Sequence, residues 1–503
     1  MRQTELGQPI SRAGRLSTSA AWNLLGYLVP IIVALASVPT LVHGLGSARF
    51  GVLSLAWVLI GSFSLFDLGL GRALTQLVAS ALGRGEVRGL GPLVWTSLLA
   101  MLAFGAVGTV AISASSPWLI HSWLRLPPSL QSESLMSFYL LAVAVPVVMV
   151  TSGLRGVLEA QQRFGLSNLV RIPLGVFTFA GPLLALPFTK SIAVVVLILL
   201  LGRIIAAGAY LVLCLWCTPF LGRQFRPRFS EVGQLLRQGA WMSISNFISP
   251  IMVYTDRFVI ASLISVAAVA YYALPYDVVL RILVIPGAIA AVMFPAFASS
   301  FIHDPARTTA LFVRGAKYLF LLLFPLALLT VTFAGDGLRV WLGADFARHS
   351  TVVLKWLVVG VFFNGLAQMP FTLIQGVGRS DLTAKLHLAE LPIYLSLLWW
   401  LIAHAGIEGA AMTWALRSLV DMVLLFALSV RILGGRRGLA ARMAGLLGAA
   451  IALFIAAALL RFDFTLKALL VALVLAGFLL GAWFLLLSEE ERQTTARLVH
   501  KSA

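Results

Sequence analysis

The residues of this chain that could do chemistry are ionisable groups set into apolar sequence. Arg203 stands inside the run ILLLGRIIAAGAY (198–210) with no carboxylate within a helical turn, and Arg417 stands in a second such run with Asp421 four residues on. A guanidinium presents a planar fork of donors that fits phosphate oxygens, so two such arginines can hold an anion from opposite sides. Arg281 follows Asp277 by four residues, the spacing that places both on one helical face as a neutralising pair. Asp256 and Arg257 adjoin near a segment end, where a gate would close, and Glu390 lies midway along an apolar stretch as a proton acceptor. Asp67 sits in the glycine break FDLGLG (66–71). An ionisable group at bilayer depth costs about 2.5 to 3.5 kcal/mol, so such groups face a cavity or pair with one another. We expect Arg203, Arg417, Arg281 and Arg257 to contact substrate, and Asp256, Asp277, Glu390, Asp421 and Asp67 to serve ion coupling or gating. The competing reading is structural: each arginine bonds carbonyls or a neighbouring acid and locks its own helices.

Other chemistries lack their residues. None of the lysines (190, 317, 355, 385, 467, 501) follows a glycine, so there is no Walker A phosphate loop and no ATPase. No GxSxG elbow and no HExxH occur. The histidines are scattered without a carboxylate at ligand spacing, so no metal and no cofactor is expected. Cys214 and Cys217 form a lone C-x-x-C at the end of an apolar run, which reads as two inert thiols.

The elements that position these groups are membrane helices. The chain has 503 residues, 60% of them hydrophobic and 11% charged, with a mean hydropathy of +0.97. A soluble domain could not cover so much apolar surface. About fourteen runs are long enough to cross a hydrocarbon core as helices. They fall near 18–42, 50–68, 92–114, 135–158, 166–188, 191–217, 238–262, 266–298, 313–334, 350–374, 383–403, 407–431, 440–460 and 466–487. The fold class is therefore all-α and polytopic. Pro30 and Pro39, Pro250, and Pro286 with Pro295 interrupt three of these helices, as does the glycine break the second, and allow them to bend.

The net charge of +18 invites a nucleic-acid reading, but the charges sort by side. About two thirds of the lysines and arginines fall on one face, which the positive-inside rule makes cytoplasmic, with both termini on that side. The chain also repeats itself at an offset of about 214 to 220 residues. Trp22, Pro30, Trp123-Leu124, Pro173 and Arg203 recur in order as Trp241, Pro250, Trp341-Leu342, Pro392 and Arg417. Two equivalent halves suit alternating access, in which a central site opens first to one side and then to the other. We divide the chain into an N-terminal lobe (1–218), a basic cytoplasmic linker (219–239), a C-terminal lobe (240–433) and an added helical hairpin with a cytoplasmic tail (434–503). Each lobe holds about six helices.

The stretches FGVLSLAWVLIGSFSLFDLGLGRAL (50–74), LRGVLEAQQRFGLSNLVR (154–171), AWMSISNFISPIMVYTDRFVIASL (240–263) with its continuation to 295, and GIEGAAMTWALRSLVD (406–421) carry a resemblance that spans nearly the whole chain. The chain resembles the polysaccharide-exporter branch of the multidrug/oligosaccharidyl-lipid/polysaccharide (MOP) superfamily, which includes Wzx-type O-antigen flippases and relatives of the lipid II flippase. The resemblance implies a two-lobe fold with a C-terminal helical hairpin. It also implies transport, without catalysis, of undecaprenyl-diphosphate-linked oligosaccharide from the cytoplasmic to the periplasmic leaflet of a bacterial inner membrane. Membrane lipids, a polysaccharide polymerase and a chain-length regulator are the implied partners, and the hairpin is the implied seat of the polyprenyl tail. Such a cleft would shelter sugar and diphosphate while the tail stays in lipid. The alternative is a proton- or sodium-coupled multidrug or cation antiporter of the same superfamily. A membrane polymerase or ligase fits less well, because no long outer loop is present.

Overall fold

The computed structural model describes residues 12–62, 70–83, 90–161, 163–218, 221, 252, 254–301, 304–434, 437–459, 463–487, 489 and 491–493. Asp67, Trp241, Pro250 and nearly all of the 219–239 linker lie outside the described residues. All regular structure among the described residues is helical, and nine of the helices are long and apolar enough to cross a membrane. These residues cluster into two compact units, Met1–Ala270 and Tyr271–Ala503.

The first unit begins with α1 (Arg12–Ser62), which stays helical through Pro30 and Pro39 and breaks at Gly46, with φ 78° and ψ 162°. That positive φ is open to glycine and strained for other residues, and it falls between the first two apolar runs of the sequence. After α2 (Leu70–Gly83) come α3 (Leu90–Trp118), α4 (Pro128–Ala160), α5 (Phe164–Ala185), α6 (Ile192–Cys217) and a short helix, α7, at 254–263. α6 is fixed at its start, where the Ile192 N–H donates to the carboxylate of Glu133 on α4. Further along, the Tyr210 hydroxyl donates to the Ser167 carbonyl on α5 at 2.9 Å. The Cys214 thiol is buried and lies 3.2 Å from the Leu154 carbonyl, and Cys217 is free as well. α7 packs beside the α3–α4 connection through the Arg125 N–H, which donates to the Ala261 carbonyl at 3.0 Å, and through stacking of Phe258 on Trp123.

Small residues let these backbones approach closely. A Cβ on Gly51 of α1 would stand 1.9 Å from the Val266 carbonyl oxygen, and one on Gly105 of α3 would stand 2.5 Å from Pro146 of α4. A carbonyl fixed in a helix cannot rotate away as a side chain can. Gly51→Ala is therefore expected to destabilise the protein by about 1 to 3 kcal/mol, the usual cost of overpacking. Thermal unfolding in detergent, followed by size-exclusion chromatography, checks this against Gly165→Ala, whose Cβ would meet nothing within 4 Å.

In the second unit, α8 (Val266–Leu280, entering from the first) tightens into a 3-10 turn at Arg281–Leu283 and continues as α9 (Val284–Ser300). Then follow α10 (Pro305–Leu342), α11 (Ala344–Gly376), α12 (Ser380–Ile432), α13 (Arg437–Leu459) and α14 (Phe464–Gly481). The hairpin α13–α14 is bound to α10 and α11 along its length. Phe454 and Phe478 pack on Phe320, Phe324 and Phe362, with ring centroids 4.7 to 6.1 Å apart. Lys467 pairs with Asp336 at 2.9 Å, and Lys355 donates to the Ala458 carbonyl at 2.8 Å. Beyond α14, Glu491 accepts from both Lys317 and Tyr318.

Candidate functional site

Two constellations of polar groups form within the apolar scaffold, one in each unit. The first surrounds Arg203, placed midway along α6. Its pocket, of about 230 Å³, is lined by Arg155, Thr151 and Ser152 of α4, Arg171 of α5, and Arg203 and Tyr210 of α6. Three arginines thus line one pocket. Arg155 lies 3.4 Å from Glu159 on its own helix. The Arg203 Nε is buried and makes no hydrogen bond. A buried donor without an acceptor is costly, and an anionic oxygen entering the pocket would relieve that cost with a charge-assisted bond. The sequence signalled Arg203 by its apolar surroundings. It did not signal Arg155 and Arg171, whose positive-inside placement reads as topology; only the packing of α4, α5 and α6 brings them together.

The second constellation is built by one helix folded on itself. His387 and Asp421 are 34 residues apart on α12, a separation of about 50 Å in a straight helix, yet His387 Nε2 lies 3.6 Å from Asp421 Oδ1. The fold-back occurs at Gly406, with φ 60° and ψ −142°, between the eleventh and twelfth apolar runs of the sequence. Close by, a Cβ on Gly409 would stand 2.1 Å from the Leu401 carbonyl oxygen. One donor atom each from His387, Glu390 and Asp421 lies within 4.8 Å of the others. Glu390 and Asp421 are only 8% and 5% exposed, and both Glu390 oxygens lack a hydrogen-bond donor. The electrostatic neighbours of Glu390 are Asp421, Arg417 and His387, and the Arg417 guanidinium lies 5.7 Å from the Tyr394 ring centroid.

Two carboxylates and an imidazole at this separation can take up protons or hold a cation. This corrects the expectation that no histidine has a carboxylate at ligand spacing. His387 and Glu390 are three residues apart, and adjacent turns of a helix bring such residues together. The sequence carries this pair as H-x-x-E, but the third member, Asp421, arrives only through the fold-back at Gly406.

The remaining expected residues are placed separately. Asp256 and Arg257, on α7, are 0% and 3% exposed, and the Arg257 N–H donates to Asp256 Oδ1 at 2.7 Å. Asp277 is half-buried near the end of α8, while Arg281 is exposed at the head of the 3-10 turn. Arg203 belongs to the first unit and Arg417 to the second, each within its own polar cluster.

Three comparisons bear on what this arrangement is for. A family model described as polysaccharide biosynthesis protein matches residues 16–301. A Shigella flexneri protein named as a candidate O-antigen transporter is 30% identical over 413 residues, covering 81% of this chain and 96% of its own length. Among solved structures, an inward-facing multidrug resistance MATE family transporter of the MOP superfamily superimposes with a TM-score of 0.71 at 14% identity, over 82% of this chain and 98% of that one. A Pyrococcus furiosus MOP-superfamily transporter with a binding pocket of reversed polarity superimposes with a TM-score of 0.59 at 15% identity, over 83% and 95% of the two chains.

Proposed function

This chain belongs to the polysaccharide biosynthesis protein family of the MOP superfamily, and from that premise we propose that it flips undecaprenyl-diphosphate-linked oligosaccharide from the cytoplasmic to the periplasmic leaflet. The protein is a multi-pass membrane transporter and not an enzyme. Its cargo is an amphipathic molecule; the lipid-linked repeat unit of an O-antigen, capsule or exopolysaccharide is our reading. The single observation that carries it is the pocket of Arg155, Arg171 and Arg203 among apolar helices, because a diphosphate is the part of such a cargo that an uncharged cleft would reject. In this reading the chain has about fourteen spans, arranged as two lobes of about six helices, a linker at 219–239 and a C-terminal hairpin. Both termini lie in the cytoplasm. Glu390 and Asp421, joined by His387, serve ion coupling in the second unit.

A second reading has its own support. Proton- or sodium-coupled multidrug antiport suits the buried acids of α12, and the fold is that of MATE transporters. Deleting the gene in its host separates the two. Under the flippase reading, complete lipid-linked repeat units accumulate in the cytoplasmic leaflet, surface polysaccharide is largely lost, and the wild-type gene restores it. Normal surface polysaccharide together with a rise in sensitivity to cationic drugs would instead establish the antiporter.

A further inference from the structure

The arginine pocket does not end at Arg203. Along α5 and α6 runs a groove of about 590 Å³ lined only by apolar residues, among them Pro173, Leu174, Phe177, Gly202, Ile205 and Val212. Leu174 lines both the groove and the arginine pocket, and Gly202, which opens the groove, immediately precedes Arg203, which lines the pocket. A Cβ at Gly202 would meet two Phe177 ring carbons at 2.6 Å, so the missing side chain lets the Phe177 ring of α5 pack directly on α6 and form the wall of the groove next to Arg203. Along α6 the lining runs from Gly202 to Leu213, a rise of about 16 Å.

Exposed apolar side chains on a membrane helix need no special partner, since lipid covers them. This face differs in being concave and in sharing Leu174 as a wall with the pocket that three arginines line. An occupant that satisfies both parts has an anionic head and a hydrocarbon tail leaving it directly. We propose that the α5–α6 groove seats the head-proximal part of the polyprenyl chain while Arg155, Arg171 and Arg203 hold its diphosphate, so that the first unit alone binds the lipid anchor of the cargo. This rests on the flippase reading above and places the tail away from the C-terminal hairpin. There, Phe454 and Phe478 already fill the face toward α10 and α11. A single groove running between two helices suits an anchor with one chain, and the three arginines suit a head with two phosphates better than the single phosphodiester of a glycerophospholipid.

The test uses the full-length protein in vesicles of phosphatidylethanolamine and phosphatidylglycerol, with a diazirine-bearing polyprenyl diphosphate as the probe and peptide mapping of the adducts. Labelling is expected on 169–177 and 202–213, competed by unlabelled polyprenyl diphosphate and not by added phosphatidylglycerol. Ala209→Trp, which fills the groove, is expected to weaken probe binding about tenfold while leaving retention of inorganic diphosphate unchanged. The wild-type map stands even if that variant folds poorly. If the probe binds in an Arg203-dependent manner but labels the hairpin at 437–487, the groove assignment is overturned and the flippase reading survives. If phosphatidylglycerol displaces the label as well as polyprenyl diphosphate does, the groove is an ordinary lipid contact. If the probe does not bind, and Arg203→Ala changes nothing, both readings fall.

Discussion

Replacing Arg203 by alanine stops export of lipid-linked oligosaccharide while the protein still folds and reaches the membrane. The two halves of this expectation have separate causes. A charge-assisted hydrogen bond contributes about 1.5 to 3 kcal/mol, which corresponds to a loss of roughly 10- to 100-fold in affinity for the anionic head. The fold has no comparable stake, since Arg203 Nε is buried without a hydrogen bond and a guanidinium at membrane depth costs about 2.5 to 3.5 kcal/mol. Arg203→Ala should therefore unfold at the same temperature as the wild type or above it. Arg203→Lys keeps the charge but loses the planar fork, and is expected to fall between the two in transport. Accumulation of cytoplasmic-leaflet intermediates in complemented deletion cells gives the transport readout, and thermal unfolding of purified protein gives the other. Normal export by Arg203→Ala would remove the arginine pocket from the mechanism. A large drop in unfolding temperature would show that Arg203 locks α4, α5 and α6 together.

Arg417→Met should be the more damaging substitution for the fold. Arg417 lies in the field of Glu390 and close over Tyr394, and both Glu390 and Asp421 are more than nine-tenths buried. Removing the cation leaves two buried acids with one compensating charge fewer, and a buried charged group left less well satisfied costs about 1 to 3 kcal/mol. The double variant Arg417→Met/Asp421→Asn removes one charge of each sign and is expected to recover most of that loss. A coupling energy of at least about 1 kcal/mol in the cycle would mark the two residues as one unit. Additive effects would mean that Arg417 acts elsewhere, and its place in the α12 cluster would be incidental. Glu390→Gln keeps the shape of the side chain and removes its charge. It is expected to leave unfolding unchanged and to flatten the pH dependence of transport, because the site then has one fewer group able to exchange a proton.

How much of this was legible beforehand follows from which interactions are local. Apolar runs and breaks act over a few residues, so membrane helices are legible in the sequence as a class: about fourteen runs are expected and nine spans are present among the described residues, and the gaps between runs near 46 and 406 coincide with Gly46 and Gly406, the two glycines at which α1 and α12 change direction. An arginine in apolar sequence is equally local, and Arg203 stood out for that reason. Arg155 and Arg171 did not, because a basic residue near a helix end has a sufficient explanation in topology, and their convergence depends on how α4, α5 and α6 pack. His387 is hidden in the sequence for a similar reason: three residues from Glu390 it is ordinary, and Asp421 reaches it only because α12 doubles back. The sequence by itself determined an all-α membrane protein with ionisable groups held inside it, since hydropathy, helix length and the cost of a buried charge depend on residue type alone. Only the tertiary structure decided which of those groups share a pocket, because a contact between helices depends on the rotation and close approach of each against its neighbours, which small residues permit and no single segment encodes.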